Sequence, residues 1–154
     1  EQHMTKVALV TGASSGIGKA IAVRLLAQGW TIYAAARRLE PMQPLQAQGA
    51  HLLAMDLTSD ASLLAAVAQI RSEGHSVDAL VNNAGYGAYG ALEEVPLAEA
   101  RRQVEVNLFG LARLIQLVLP DMRARRAGRI VNISSIGGKI HEPMGAWYHA
   151  TKFA

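Results

Sequence analysis

Short apolar runs alternate along this chain with longer stretches of helical periodicity. Lys6–Thr11 (K-V-A-L-V-T) reads as a buried strand bounded by Gly12. Gly16–Gln28 places Ile17, Ile21 and Leu25 with neighbouring alanines on one helical face, and Gly29 stops it. A second strand is predicted over Thr31–Ala35, a short proline-bearing helix over Leu39–Gln48, and a third strand over His51–Met55. Ser59–Glu73 is a helix with Ser59 as its N-cap and Gly74 at its end. Asp78–Asn82 is a fourth strand, Leu97 to about Arg126 a long helix, and Arg129–Ser134 a fifth strand. Another helix begins near Trp147. Strict alternation of this kind predicts an α/β fold, a doubly wound parallel sheet with right-handed crossovers.

In the long helix Val104, Leu108, Leu111, Ile115 and Leu119 form one stripe, while Val106, Phe109, Leu114, Leu117 and Val118 put apolar groups on other faces. A helix apolar nearly all round is buried on more than one side, and a sheet covers only one.

At 154 residues and 51% hydrophobic, the chain has the size and apolar content of one domain with a core. With 18% charged residues it is outside the disordered class. No apolar run approaches the roughly 20 residues of a membrane span. The absence of cysteine excludes disulfides and a thiol nucleophile. The net charge of +3 is too small to argue for nucleic acid. Arg123, Arg125, Arg126 and Arg129 read as a solvated helix end complementing the dipole. No signal peptide is visible, which favours a cytoplasmic setting. Glu1-Gln2-His3 reads as a cloning remnant, with Met4 as the natural start and one domain over residues 4–154.

The first strand–helix turn, Thr11-Gly12-Ala13-Ser14-Ser15-Gly16-Ile17-Gly18, has the chemistry of a pyrophosphate cradle. Glycines allow a tight turn and close approach, and the helix start offers free N–H groups and a positive dipole end. Three residues separate the first two glycines, a spacing that resembles the T-G-x-x-x-G-x-G of short-chain dehydrogenases/reductases. Asn82-Asn83-Ala84-Gly85, Asn107 in V-N-L, Ser134-Ser135 and Tyr148-x-x-x-Lys152 follow at the ends or interiors of the expected elements, in that family's order. The resemblance runs from Thr5 to the last residue and is locally similar to members of the 17-beta-hydroxysteroid dehydrogenase type.

Tyr148 and Lys152, four apart, share a helix face. A free phenol titrates near pH 10, and an ammonium beside it favours the phenolate. The resemblance makes Tyr148 the general acid/base, Lys152 its electrostatic partner and holder of the nicotinamide ribose, and Asn107 the anchor of a relay water. It makes Ser135, 13 residues before Tyr148, the group that binds the substrate oxygen, with Ser134 structural. Gly12, Ser14, Ser15, Gly16, Ile17, Gly18, Asn83, Ala84 and Gly85 are the expected cofactor contacts, with Asp56 and Leu57 beside the adenine.

The end of strand two carries Ala36 where an NAD site usually has an acid, followed by Arg37 and Arg38. A guanidinium fits a phosphate by charge and fork geometry, so NADP is favoured over NAD. No histidine–acid cluster points to a metal, and Glu93-Glu94 reads as a solvated loop. The reading is an NADP-dependent oxidoreductase acting on a small carbonyl or secondary alcohol. A nucleotide-binding regulatory or interaction module without turnover is the alternative. Five strands, where six or seven are usual, imply a chain cut after the fifth. In the family the long helix and its neighbour form a four-helix interface, which implies a homodimer or homotetramer.

Overall fold

The computed structural model describes residues 5–154; the proposed cloning remnant and Met4 lie outside the described residues. Five parallel strands, β1 (Val7–Thr11), β2 (Thr31–Ala36), β3 (His51–Ala54), β4 (Ala79–Asn82) and β5 (Arg129–Asn132), lie in the order β3-β2-β1-β4-β5. The helices are α1 (Gly16–Ala27), α2 (Gln43–Gln46, after a 3-10 turn at Glu40–Met42), α3 (Asp60–Ser72), α4 (Leu97–Val104), α5 (Leu111–Arg125) and α6 (Ala146–Phe153). Every predicted element is present with ends shifted by a residue or two, except the short helix, which keeps only its middle. Two prolines, Pro41 and Pro44, sit at its start and limit it.

β1 is central and buried throughout, so its run of apolar residues has no polar alternate. Leu9 lies in register with Tyr33 and Leu80. Alternation divides the core. Val7, Leu9, Tyr33, Leu53 and Leu80 face Leu63, Val67 and Ile70 of α3 and Leu114, Val118 and Met122 of α5. Ala8, Val10, Ile32, Ala34 and Val81 face Ala22 of α1, Met42 and Leu45. Ser59 caps α3 by accepting a hydrogen bond from the Ser62 N–H at 3.2 Å.

Ile17 departs from the expected α1 face: it is 63% exposed, while Ile21 and Leu25 pack on the core. The long helix departs more. Between α4 and α5 the backbone winds as a π-helix over Glu105–Gly110. The buried line runs Gln103, Asn107, Gly110, Leu114, Val118, Met122, not through Val104, Leu108, Leu111, Ile115 and Leu119, which are half-buried. A π turn adds a residue to the winding and rotates everything after it by roughly 100°. The apolar stripe nevertheless has the same four-three-four-four spacing as the buried line and lies one residue C-terminal to it from Val104 onward. The offset is thus already set ahead of the π turn, where Gln103 takes the buried place. Gly110 sits against Leu57, where a Cβ would stand 2.8 Å from the Leu57 Cβ.

The arginine cluster is not uniformly solvated. Arg125 donates to Ser76 Oγ (2.6 Å), the Val77 carbonyl (3.0 Å) and Asp78 (3.4 Å), while Asp78 accepts from the Val7 N–H at 2.8 Å. This binds the end of α5 to the loop entering β4. β5 is exposed along its length and forms one edge of the sheet. Among the described residues no helix is long and apolar enough to cross a membrane.

Candidate functional site

The chain reverses direction across the sheet at β1, whose neighbours are β2 and β4, and a crevice opens at their C-terminal ends. A cleft of about 490 Å³ occupies it, a volume ordinary for a small-molecule site. The glycine turn forms one wall. Gly12 has φ +64° and lies so close to the next loop that a Cβ would stand 2.8 Å from the Ala84 Cα. Gly16 has φ +53° but open space around it. Ser15 precedes α1 without a side-chain cap bond, so the first-turn amides remain free for an anion. Thr11 Oγ1 accepts from the N–H groups of Asn83 (3.1 Å) and Ala84 (3.0 Å). The Asn83 side chain donates to the carbonyls of Thr11 (3.1 Å) and Gly12 (3.3 Å). The two loops are thus sewn together as one surface. Gly12, Ser14, Ser15, Gly16, Ile17, Asn83, Ala84 and Gly85 line the cleft. Gly18 does not; it is buried behind the turn, packed on the Asn83 side chain and the Gly12 carbonyl.

Arg37, Arg38, Asp56 and Leu57 line the opposite end. Neither arginine is in an ion pair among the described residues. Asp56 Oδ1 accepts from the Thr58 N–H (2.9 Å) and hydroxyl (2.8 Å). Those two bonds, then the nearby guanidinium groups of Arg102 and Arg37, hold its carboxyl below the usual carboxylate range. Arg102 and Val106 also line the cleft, and sequence reasoning missed both. Their spacing of four on a helix, beside Asn107, was the available signal.

The other end of the cleft meets α6. A Cβ on Gly85 would stand 3.1 Å from Asn107 Oδ1 and 3.5 Å from Lys152 Nζ, so Asn107, Lys152 and the cleft converge there. Lys152 Nζ donates to the Ile133 carbonyl (3.1 Å) and lies 5.9 Å from the centre of the Tyr148 ring. Asn107 is buried in the π turn. Its amide donates to the Tyr86 carbonyl (2.8 Å) and Thr151 Oγ1 (2.9 Å), and its oxygen accepts from the Tyr86 N–H (3.1 Å). Thr151, another residue not anticipated, donates to the Tyr148 carbonyl at 2.8 Å. The π turn thus joins the Tyr86 loop to α6 through one side chain. Ser134 and Ser135 differ in role. Ser134 donates to the Lys152 carbonyl (3.1 Å), whereas Ser135 Oγ accepts from the Gly137 N–H (3.1 Å). Among the described residues no group of three or more histidines and acids could hold a metal.

The short chain dehydrogenase family model matches residues 6–154. The chain belongs to that family. It is 43% identical over 150 residues to 3-ketodihydrosphingosine reductase of Bacteroides thetaiotaomicron, a match covering 97% of this chain and 54% of the relative. Estradiol 17-beta-dehydrogenase 1 of Rattus norvegicus is 40% identical over 160 residues, covering 96% of this chain and 46% of the relative. The crystal structure of a short-chain dehydrogenase from Streptomyces avermitilis superposes with a TM-score of 0.95 at 41% identity, covering 100% of this chain and 58% of that one. The chain spans about half the length of the curated relatives it matches.

Proposed function

We propose that this chain carries the nucleotide-binding and catalytic part of an NADP-dependent oxidoreductase acting on a carbonyl or secondary alcohol. The observation that carries the reading is the convergence of Lys152, Asn107 and Gly85, with Tyr148 one turn before Lys152, where α6 meets the cleft. The cleft fits a dinucleotide by its donor set: a glycine turn where a Cβ on Gly12 would collide with the adjoining loop, uncapped helix amides, and two guanidinium groups outside any ion pair among the described residues.

Bound nicotinamide supplies or accepts the hydride. The Tyr148 phenol gives a proton to the substrate oxygen as charge develops on it, and takes one back in the oxidative direction. The Lys152 ammonium favours the phenolate left behind. Ser135 donates a hydrogen bond to the same oxygen, while Ser134 anchors α6 through the Lys152 carbonyl. Asn107 fixes the Tyr86 loop against α6 and holds a water beside Lys152 for proton return. Arg37 and Arg38 take the 2′-phosphate, a doubly charged group matched to a guanidinium fork.

The test uses the full-length protein. Tyr148→Phe is expected to cut carbonyl reduction by about 10²–10⁴ while leaving NADPH affinity nearly unchanged. Ser135→Ala is expected to be severe and Ser134→Ala mild. Nucleotide binding without turnover in the parent protein would instead establish a binding module.

A further inference from the structure

His149 lies beside Tyr148 on α6, yet it points away from the cleft and takes no part in the proposed chemistry. It is 6% exposed, with both ring nitrogens engaged. The Glu142 N–H donates to Nε2 at 3.1 Å, so Nε2 carries a lone pair. Nδ1 then carries the proton and donates it to the Gly137 carbonyl at 2.9 Å. One neutral tautomer satisfies both contacts; the other satisfies neither.

These two partners lie on the loop between Ser135 and Tyr148. Gly137 also donates its N–H to Ser135 Oγ at 3.1 Å. A single residue therefore holds the serine hydroxyl through its N–H and the imidazole through its carbonyl. The packing is close. A Cβ on Gly137 would stand 3.1 Å from both His149 Nδ1 and Tyr148 Cε1, and one on Gly145 would stand 2.6 Å from His149 Cδ2. The loop is also held away from its relaxed shape: Met144 has φ +69°, a left-handed conformation that a side chain disfavours. Its carbonyl accepts from the Gly90 N–H at 2.8 Å. Outside this anchor the loop presents Ile136, Ile140 and Met144, exposed by 72%, 46% and 53%.

We propose that His149 is a positioning residue: it sets Ser135 against Tyr148 through Gly137, and it fixes the shape of the Glu142–Met144 part of the loop. That part packs toward Tyr89, a ring 5.6 Å from that of Tyr148, and so borders the ground a carbonyl substrate of Tyr148 would occupy. This rests on the oxidoreductase reading above. The two contacts have separable consequences. The Gly137 bond governs alignment of the serine–tyrosine pair, hence kcat. The Glu142 bond governs the outer loop, hence KM for the carbonyl substrate.

In the full-length protein, ¹⁵N imidazole shifts are expected to show the Nδ1–H tautomer, and hydrogen exchange to show a protected Glu142 amide. An Nε2–H tautomer would overturn the proposal whatever the variants do, including variants that fail to fold. His149→Asn keeps a donor toward Gly137 and loses the acceptor. It should raise KM about tenfold or more, hold kcat within a few-fold, and expose the Glu142 amide. His149→Gln keeps an acceptor and loses the Gly137 donor, and should lower kcat by about tenfold or more. Nucleotide affinity should stay within about twofold in both, since neither contact touches the cleft. Two variants indistinguishable from the parent in kcat and KM, or equal losses of both constants together with nucleotide affinity, would overturn it. A Tyr148→Phe protein that keeps its turnover would refute the oxidoreductase reading, a result separate from the tautomer and exchange measurements.

Discussion

Two glycines of the first turn share a left-handed backbone but not a neighbourhood, and alanine at each separates conformation from contact. Gly12 has φ +64° and Gly16 φ +53°, and an L-residue in that region costs about 1–2 kcal/mol. Both substitutions also stiffen the unfolded chain, a return of about 0.4–1 kcal/mol that cancels between them. At Gly16 nothing lies within 4 Å of the new Cβ. At Gly12 the Cβ would stand 2.8 Å from the Ala84 Cα and 2.9 Å from the Asn83 amide nitrogen. Neither neighbour yields readily, because Thr11 and the Asn83 side chain bind the two loops together. Overpacking of this kind costs about 1–3 kcal/mol. Gly12→Ala should therefore unfold at lower urea than Gly16→Ala by that increment, with an unchanged m-value. It should also lose more NADPH affinity, because the loop displaced by the methyl is itself a wall of the cleft. Equal stability losses in the two proteins would show that the inter-loop contact is soft and the cradle argument wrong.

Arg37→Asp should move nucleotide preference from NADPH toward NADH, by roughly tenfold or more for the loss of a charge-assisted phosphate contact, read by fluorescence titration of both nucleotides; an NADPH-to-NADH affinity ratio equal to the parent's would contradict it. Glu73 accepts a 2.6 Å hydrogen bond from the buried Tyr33 hydroxyl, which with Gln69 and the nearby His51 and His75 holds its carboxyl below the usual range, while burial and Glu73 raise the Tyr33 phenol. A depressed carboxyl stabilises the fold above its unfolded value and loses that contribution as pH falls through the folded one. Glu73→Gln should thus cost about 1 kcal/mol or less at neutral pH, given its exposure, and the gap should close below about pH 4; a gap that persists in acid would refute it. Phe109, 56% exposed on the half-buried side of the long helix, should lie in a self-association interface, so Phe109→Glu should shift sedimentation toward monomer; an unchanged distribution would exclude that face.

How much of this was legible in the sequence follows from what kind of force fixes each part. The strands rest on apolar burial, and burial writes itself as runs and stripes; β1 through β5 lie within a residue or two of the runs that predict them, whereas their order in the sheet comes from the structure. The glycine turn was legible because only glycine meets its backbone demands. The long helix misled for the same reason in reverse. Its upper half binds its neighbours by hydrogen bonds, with Asn107 spanning Tyr86 and Thr151, and the Gln103 side chain reaching the Ala88 carbonyl at 3.4 Å. Polar and small residues on the buried line look like an exposed face to a hydrophobic pattern, so the pattern settles on the apolar stripe one residue further along. His149 escaped for a related reason. No run, stripe or spacing marks it: a group that orients its neighbours reaches past them to the loop beyond, and only the fold brings Gly137 and Glu142 to its ring. In the proposed chemistry the residues of the family motif are the ones that react. The atoms that aim them are found only where the fold brings a lone pair and an N–H from two ends of one loop onto a single ring.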